Sequence, residues 1–381
     1  MTIALQINIL CPPLDDQNVR AFVAPLIAAR RELTDLGIRF SIRHEPGEDL
    51  CDCDVVILNS AFWRGLWVDR RDEALPFIAA ACEAAPRLLY FDRASTSGTV
   101  IADVLPLVTR YYKTNLLRDR QLYMRPLYGL REFTDYYHRE FGVEDEPPVL
   151  SPAVQDANDL SKLRLSWSTA LANYAMLGPR LSALYMHLPL DRLMRPTSRC
   201  HSPRAARPIA VSCRMGLTYK HNSVAFQRQR MAELLTAHRR TDRISKPAYC
   251  RELRESQVVI SPFGYSEVNY KDFETFLAGA ALMKPDMSHL ETYPDLFDDG
   301  VTYVSHRWDF SDLEEKIDGL LQDNERRIAI AEAGQQRYRA VTVGRQARQG
   351  FARYFSALLR EAEAAPEGAA LSTAGNCSNS R

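Results

Sequence analysis

The run VVISPFGYSEVNYKDFETFLAGAALM, residues 258–283, decides how this chain is read. Residues 258–262 are apolar enough for a buried strand, and a loop with Gly264 follows. A helix over 270–277 comes next, closed by Ala278-Gly279-Ala280, and 281–284 reads as another short strand. Physically, a glycine loop lets a nucleotide approach the backbone, and a helix N-terminus favours its diphosphate. Lys271 falls in the first turn of that helix, where a cation is disfavoured unless an anion neutralises it; a bound phosphate would. Glu274, one turn further, offers a carboxylate able to accept both hydroxyls of a ribose.

The same alternation extends outward in both directions. Upstream, 209–213 reads as a strand and 224–238 and 248–256 as helices; downstream, 313–321 and 328–338 are amphipathic helices. Phe351, Tyr354, Phe355, Leu358 and Leu359 mark a last helix. In the N-terminal half, strands are expected at 3–10, 38–43, 55–59 and 87–92, with helices at 19–36, 73–84 and 160–177. Strands alternating with helices at this spacing argue for parallel, helix-covered sheets. A chain of 381 residues exceeds one ordinary domain. Residues 195–208 hold three prolines and four arginines, which suits an exposed connection. The expected division is therefore a domain over 1–195, a linker over 196–208, a second domain over 209–345, a terminal helix over 346–362 and a disordered tail over 363–381.

Composition limits the function. Forty-eight basic residues balance 48 acidic ones, so there is no global pull toward nucleic acid, and 46% hydrophobic residues supply two cores. Eight cysteines lie scattered without paired metal-ligand spacing, which reads as a reducing compartment and no metal site. Residues 3–10 lack the basic flank and length of a signal sequence, and no apolar run reaches the roughly 18 residues of a spanning helix. The expectation is a cytoplasmic protein. Charge is uneven locally: from Arg192 to Met231 there are nine bases and no acid, while 286–325 holds twelve acids against Arg307 and Lys316. The two stretches either pair with each other or leave an anion-facing surface open, including peripheral association with the inner membrane surface. Arg214 and Lys220 stand apart, at and just beyond the carboxyl end of a strand, where open α/β sheets bind ligands.

At these residues the sequence resembles the group 1 glycosyltransferases of the two-domain GT-B fold. Ser261, Pro262 and Gly264 match that family's loop, Lys271-Asp272-Phe273-Glu274 its helix start and Gly279 the helix end. The likeness runs on through Asp298-Asp299-Gly300, Tyr303 and Ala333-Gly334, covering roughly 246–345. It implies an α/β protein with two Rossmann-like domains whose parallel sheets face across a cleft. It also implies a nucleoside diphosphate sugar as donor, held mainly by the C-terminal domain, with no cofactor. By motif match Glu274 holds the ribose, while Lys271 and Arg214 face the diphosphate, with Lys220, Ser261 and Gly264 nearby. Many relatives carry a further glutamate eight residues before the matching one; Ser266 stands there, and Glu267 is one residue off register.

Other features admit competing readings. Asp52-Cys53-Asp54 is a D-x-D, a metal motif in another glycosyltransferase fold, but here it directly precedes a buried run. Asp92, at a strand's carboxyl end, is the candidate catalytic base against a loop-capping role, and His138 is a weaker one. The aromatic stretch from Tyr111 to Tyr137 suits core packing first and sugar stacking second. No G-x-G-x-x-G follows a strand and no G-K-[ST] loop exists, which disfavours dehydrogenases and P-loop kinases. The reading is a metal-independent glycosyltransferase acting on a glycan, lipid-linked or other acceptor, as in polysaccharide biosynthesis. The alternatives are a sugar-nucleotide epimerase of the same fold and a catalytically inactive module binding a glycan or partner.

Overall fold

The computed structural model describes residues 4–14, 16–63, 71–172, 199–236, 239–240 and 244–364. In the N-terminal half the elements are β1 (Leu5–Leu10), α1 (Gln17–Ala28), α2 (Arg30–Asp35), β2 (Ile38–Arg43), β3 (Val55–Asn59), α3 (Arg71–Ala84), β4 (Leu88–Asp92), β5 (Arg110–Lys113), β6 (Asn115–Leu117), α4 (Glu132–Phe141) and β7 (Leu163–Leu165). Asp16 starts α1 by accepting from the Asn18 and Val19 amides, and Val19, Phe22, Val23 and Leu26 then fall on the buried face. β3 and β4 are buried at every position, as parallel strands covered on both faces require. The sheet runs β2-β1-β3-β4-β5-β7, all parallel.

The second half builds β8 (Ile209–Arg214), α5 (Asn222–Leu234), β9 (Arg239–Arg240), α6 (Lys246–Glu255), β10 (Ser256–Ile260), α7 (Tyr270–Ala278), β11 (Ala281–Pro285), β12 (Leu290–Thr292), β13 (Val304–His306), α8 (Leu313–Gln322), α9 (Asn324–Thr342) and α10 (Gly344–Glu363). Its parallel sheet runs β13-β11-β10-β8-β9. Gly279 ends α7 in the left-handed region, φ +68°, where a Cβ would lie 2.4 Å from the His201 carbonyl oxygen, so only glycine fits.

Three devices bring the halves together. β6 pairs antiparallel with β12, Leu116 opposite Glu291, so one small sheet is shared. The aromatic face of α4 packs onto the other half, with Phe133 against Phe263 at 5.0 Å, Tyr137 against Phe226 at 5.0 Å and Tyr136 against Trp308 at 5.5 Å. Finally α10 returns to the first half, where Trp167 stacks on Phe22 and meets Phe351 and Phe355 edge-on. The aromatic stretch thus serves packing: Tyr111, Tyr112, Tyr123, Phe133 and Tyr137 are all fully buried.

One expectation is corrected. The helix expected over 160–177 is instead a 3₁₀ turn (Ala157–Lys162), β7 and a second 3₁₀ turn (Thr169–Leu171), with 173–177 outside the described residues. The Ser166 amide bonds the Lys113 carbonyl at 2.7 Å and the Ser168 amide the Tyr293 carbonyl at 2.7 Å; extended pairing with distant segments overrides the local helical spacing. The described part of the connection, 199–208, is mostly exposed, as expected of a connection, and is tied down by two arginines. Arg207 donates to the carbonyls of Arg254, Ser256 and Ala278, and Arg204 pairs with Glu332. Residues 195–198 and the tail from 365 lie outside the described residues.

Trp167→Ala removes the fully buried ring that joins β4, α1 and α10, and is expected to cost about 3–5 kcal/mol. Urea unfolding at equilibrium measures it; a loss below about 1 kcal/mol would show that α10 is held without this ring.

Candidate active site

The carboxyl ends of β8, β10 and β11 lie side by side, Ile260 opposite Met283 and Val259 opposite Ser212, so the loops that follow them share one edge. The loop after β10 is held from below by a buried ion pair. Lys284 of β11 and Asp272 of α7 are each 0% exposed and 2.7 Å apart, and the same ammonium donates to the Glu267 carbonyl. Asp272 also accepts from the Ser261 hydroxyl and the Asn269 amide, completing a capping box with Asn269 at the start of α7.

Two cations converge above this base. Lys271 reaches past α7 and donates to the carbonyls of Arg214 at 2.9 Å and Ile260 at 2.6 Å, at the ends of β8 and β10. Arg228, from α5, donates to the carbonyls of Phe263 at 2.9 Å and Gly216 at 3.3 Å and lies over the Tyr219 ring at 4.8 Å. Neither makes an ion pair among the described residues. Burial, with Arg228 close by, pulls the Lys271 ammonium down to about 8, and burial lowers Arg228 as well. Gly264 borders Arg228: a Cβ there would lie 3.3 Å from the Tyr219 hydroxyl, 3.4 Å from Asn269 Oδ1 and 3.5 Å from Arg228 Nη2. A largely buried pair of positive charges beside a glycine loop and a helix N-terminus is suited chemically to a multiply charged anion.

The remaining expected residues fall into place around this centre. Arg214 is already neutralised, its guanidinium 2.5 Å from Glu252, which also accepts from Ser212. Ser261 is spent on Asp272. Lys220 is exposed, its amide donating to the Tyr265 hydroxyl. Glu274 pairs with Lys246 at the head of α6 and lines a cavity of about 220 Å³ with Cys250, Arg254 and His201. Glu267 faces the other half: its buried carboxylate accepts from Ser97 and, at 3.5 Å, from Asn115, whose amide also donates to Ser266 at 2.9 Å. Burial raises the Glu267 carboxyl above the usual range despite these donors.

Asp92 and the D-x-D take structural positions. Parallel register sets Asp92 opposite Lys113, which donates to it at 2.9 Å; Tyr111 and the Ala94 amide fill its other sites, and it is 2% exposed. Asp54 accepts from the Gln6 amide just before β3 begins, at the edge opposite the strand carboxyl ends. His138 stacks on Tyr128 and bonds the Val143 carbonyl. Arg228, Ser97, Asn115 and Arg131 were not singled out as site residues by the sequence reading. Arg228 lies inside the acid-free basic run, yet nothing local shows that α5 folds it onto the loop after β10. Lys284 did leave a signal: a lysine within an apolar strand needs a buried acid.

The two parallel, helix-covered sheets meet at loops that follow the carboxyl ends of their strands, Ser97 after β4 bonding Glu267 after β10. Residues 204–349 of this chain match the family described as glycosyl transferase-like. Among solved structures the chain is similar to HepE of Anabaena in complex with UDP-glucose, at 10% identity over 94% of this chain and 100% of that one, TM-score 0.42. Sucrose-phosphate synthase from Thermosynechococcus elongatus gives 11% over 95% and 100%, TM-score 0.41, and T4 phage β-glucosyltransferase 10% over 94% and 99%, TM-score 0.41. Likeness at this level says nothing about substrate. No curated protein matches the chain in sequence.

Lys284→Met leaves Asp272 charged and buried without its cation, and is expected to lose about 3–5 kcal/mol in urea unfolding. A loss below about 1 kcal/mol would show that Ser261 and the Asn269 amide satisfy Asp272 alone.

Proposed function

We propose that the protein transfers a sugar from a nucleoside diphosphate sugar to a glycan, lipid-linked or other acceptor, without a metal. The observation that carries this reading is the pair Lys271 and Arg228, two largely buried cations without an ion-pair partner among the described residues, beside Gly264 and the start of α7. As the bond from sugar to diphosphate breaks, negative charge builds on the departing phosphate. Fixed cations in a poorly solvated site stabilise that charge more than the ground state, and so lower the barrier. Arg214, neutralised by Glu252, fixes the end of β8 and presents the carbonyl that orients Lys271. Glu274 takes the ribose once Lys246 yields its carboxylate. The base that activates the acceptor is not assigned to Asp92, whose oxygens are taken by Lys113, Tyr111 and Ala94.

The test begins with thermal stabilisation by UDP, ADP and GDP, since a ligand at 100 times its Kd adds about 2.7 kcal/mol. With the sugar nucleotide so identified and excess chelator present, Arg228→Met and Lys271→Met are each expected to reduce turnover by about 10²–10³. Unchanged turnover in both folded variants would overturn the assignment of the diphosphate, and strict dependence on added manganese would overturn the metal-free reading.

Binding is also expected to depend on pH in a defined direction. A bound diphosphate favours the charged form of Lys271, whose free value lies at about 8. Affinity for the nucleotide is therefore full near pH 7 and falls as pH rises through about 8, where the free protein sheds that proton. Calorimetric titrations between pH 7 and 9.5 read the decline; Lys271→Met should bind weakly and without it. A wild-type affinity that stays flat across this range contradicts the contact.

A further inference from the structure

One aromatic side chain at the seam between the halves is both exposed and immobilised. Tyr265, the residue after Gly264, is 40% exposed, whereas Phe263 two residues earlier is fully buried. Its carbonyl accepts from Arg131 Nε at 2.8 Å, and Arg131, from the other half, is itself buried and anchored on the Gly129 carbonyl. Its hydroxyl accepts from the Lys220 amide at 3.3 Å. The Tyr219 ring meets it edge-on at 5.1 Å and 67°, and the His221 ring at 6.2 Å and 85°. Fastened at carbonyl, hydroxyl and edge, the ring keeps one orientation while much of its surface stays in water. Core packing does not explain an aromatic side chain held in place yet left 40% exposed.

Position gives it a use. Tyr219, which braces the ring, also packs against the Arg228 guanidinium, and its hydroxyl borders Gly264, so one ring stands between Tyr265 and Arg228. A group joined to a diphosphate held there, or approaching it, meets Tyr265 next. Polar groups stand at the ring: the Arg131 guanidinium of the other half lies over it, 5.7 Å from its centroid, the His221 ring meets its edge and the Lys220 amide its hydroxyl. An apolar face rimmed by polar groups is the chemistry that recognises a sugar ring, whose C–H face stacks while its hydroxyls are bonded at the edge.

We propose that Tyr265, braced by Tyr219, is a stacking platform for a pyranose ring beside the diphosphate. The inference rests on the reading above for its place in a reaction, and not for the binding itself. Saturation-transfer NMR with methyl glucoside, methyl mannoside and methyl N-acetylglucosaminide, run on wild type, Tyr265→Phe and Tyr265→Ala, reads the free sugar. A second arm compares UDP-glucose with UDP, ADP-glucose with ADP and GDP-mannose with GDP. Ring-proton saturation or the added affinity of the sugar should persist in the phenylalanine variant and weaken about tenfold in the alanine variant. A loss confined to free pyranosides assigns the ring to the acceptor; one confined to sugar nucleotides assigns it to the donor. Sugar binding equal in wild type and Tyr265→Ala, or none in either arm, overturns the platform. Failure of all three nucleoside diphosphates to bind, with pyranosides still saturated through Tyr265, would count against the transferase reading and leave the platform standing.

Discussion

The ion pair between Lys284 and Asp272 is the constraint on which the second half of this protein depends. Both groups are withdrawn from water, where an isolated charge is untenable, so each commits the other's element to one place. Lys284 is one of the strand residues of β11 and Asp272 lies in the first turn of α7, so the pair sets the angle at which the helix leaves the sheet. The spare bonding capacity of the two groups shapes the loop between them. Lys284 takes the Glu267 carbonyl, and Asp272 takes Ser261 and the Asn269 amide, while Phe263 and Phe297 lie under the ammonium. A loop of nine residues is thereby held by one charge pair from both of its ends.

With the loop so fixed, its outer face becomes a site. Lys271 cannot join the Asp272 pair, because it leaves the helix on the side of β8, where carbonyl ends of two strands hold it. Carbonyls orient an ammonium without cancelling its charge, and the same holds for Arg228 on the Phe263 and Gly216 carbonyls. The protein therefore keeps one set of charges satisfied internally and another poised outward, a few residues apart. The other half contributes at the same loop: Ser97 and Asn115 to Glu267, and Arg131 to Tyr265. The shared β6 and β12 sheet and the aromatic face of α4 set the register between these partners.

The residues of the loop and α7 were legible in the sequence because their signals are local. A buried strand, a glycine, a helix start and a misplaced cation lie within 26 consecutive residues, and backbone geometry alone constrains them. The alternation of strands and helices on both sides was legible for the same reason, as were the packing of the aromatic stretch and the exceptional place of Lys271. Residues 160–172 were misread because their helical spacing was genuine but outweighed by pairing with β5 and with Tyr293, contacts made across 53 and 125 residues of chain.

What the sequence determined by itself, then, was the kind of chain this is: parallel α/β architecture, a glycine loop feeding a helix, and cations near strand ends. Only the tertiary structure decided which cations remain without a carboxylate. Arg214 and Lys271 look alike in the sequence, yet Glu252 reaches the first and none of the described carboxylates pairs with the second. Arg228 joins Lys271 because α5 folds back over the loop after β10, and Asp92 is removed from contention by the register of two strands. The physical reason is one of range. Periodicity and capping act over a few residues, whereas the neutralisation of a buried charge depends on whichever group the fold brings within about 4 Å, at any separation along the chain.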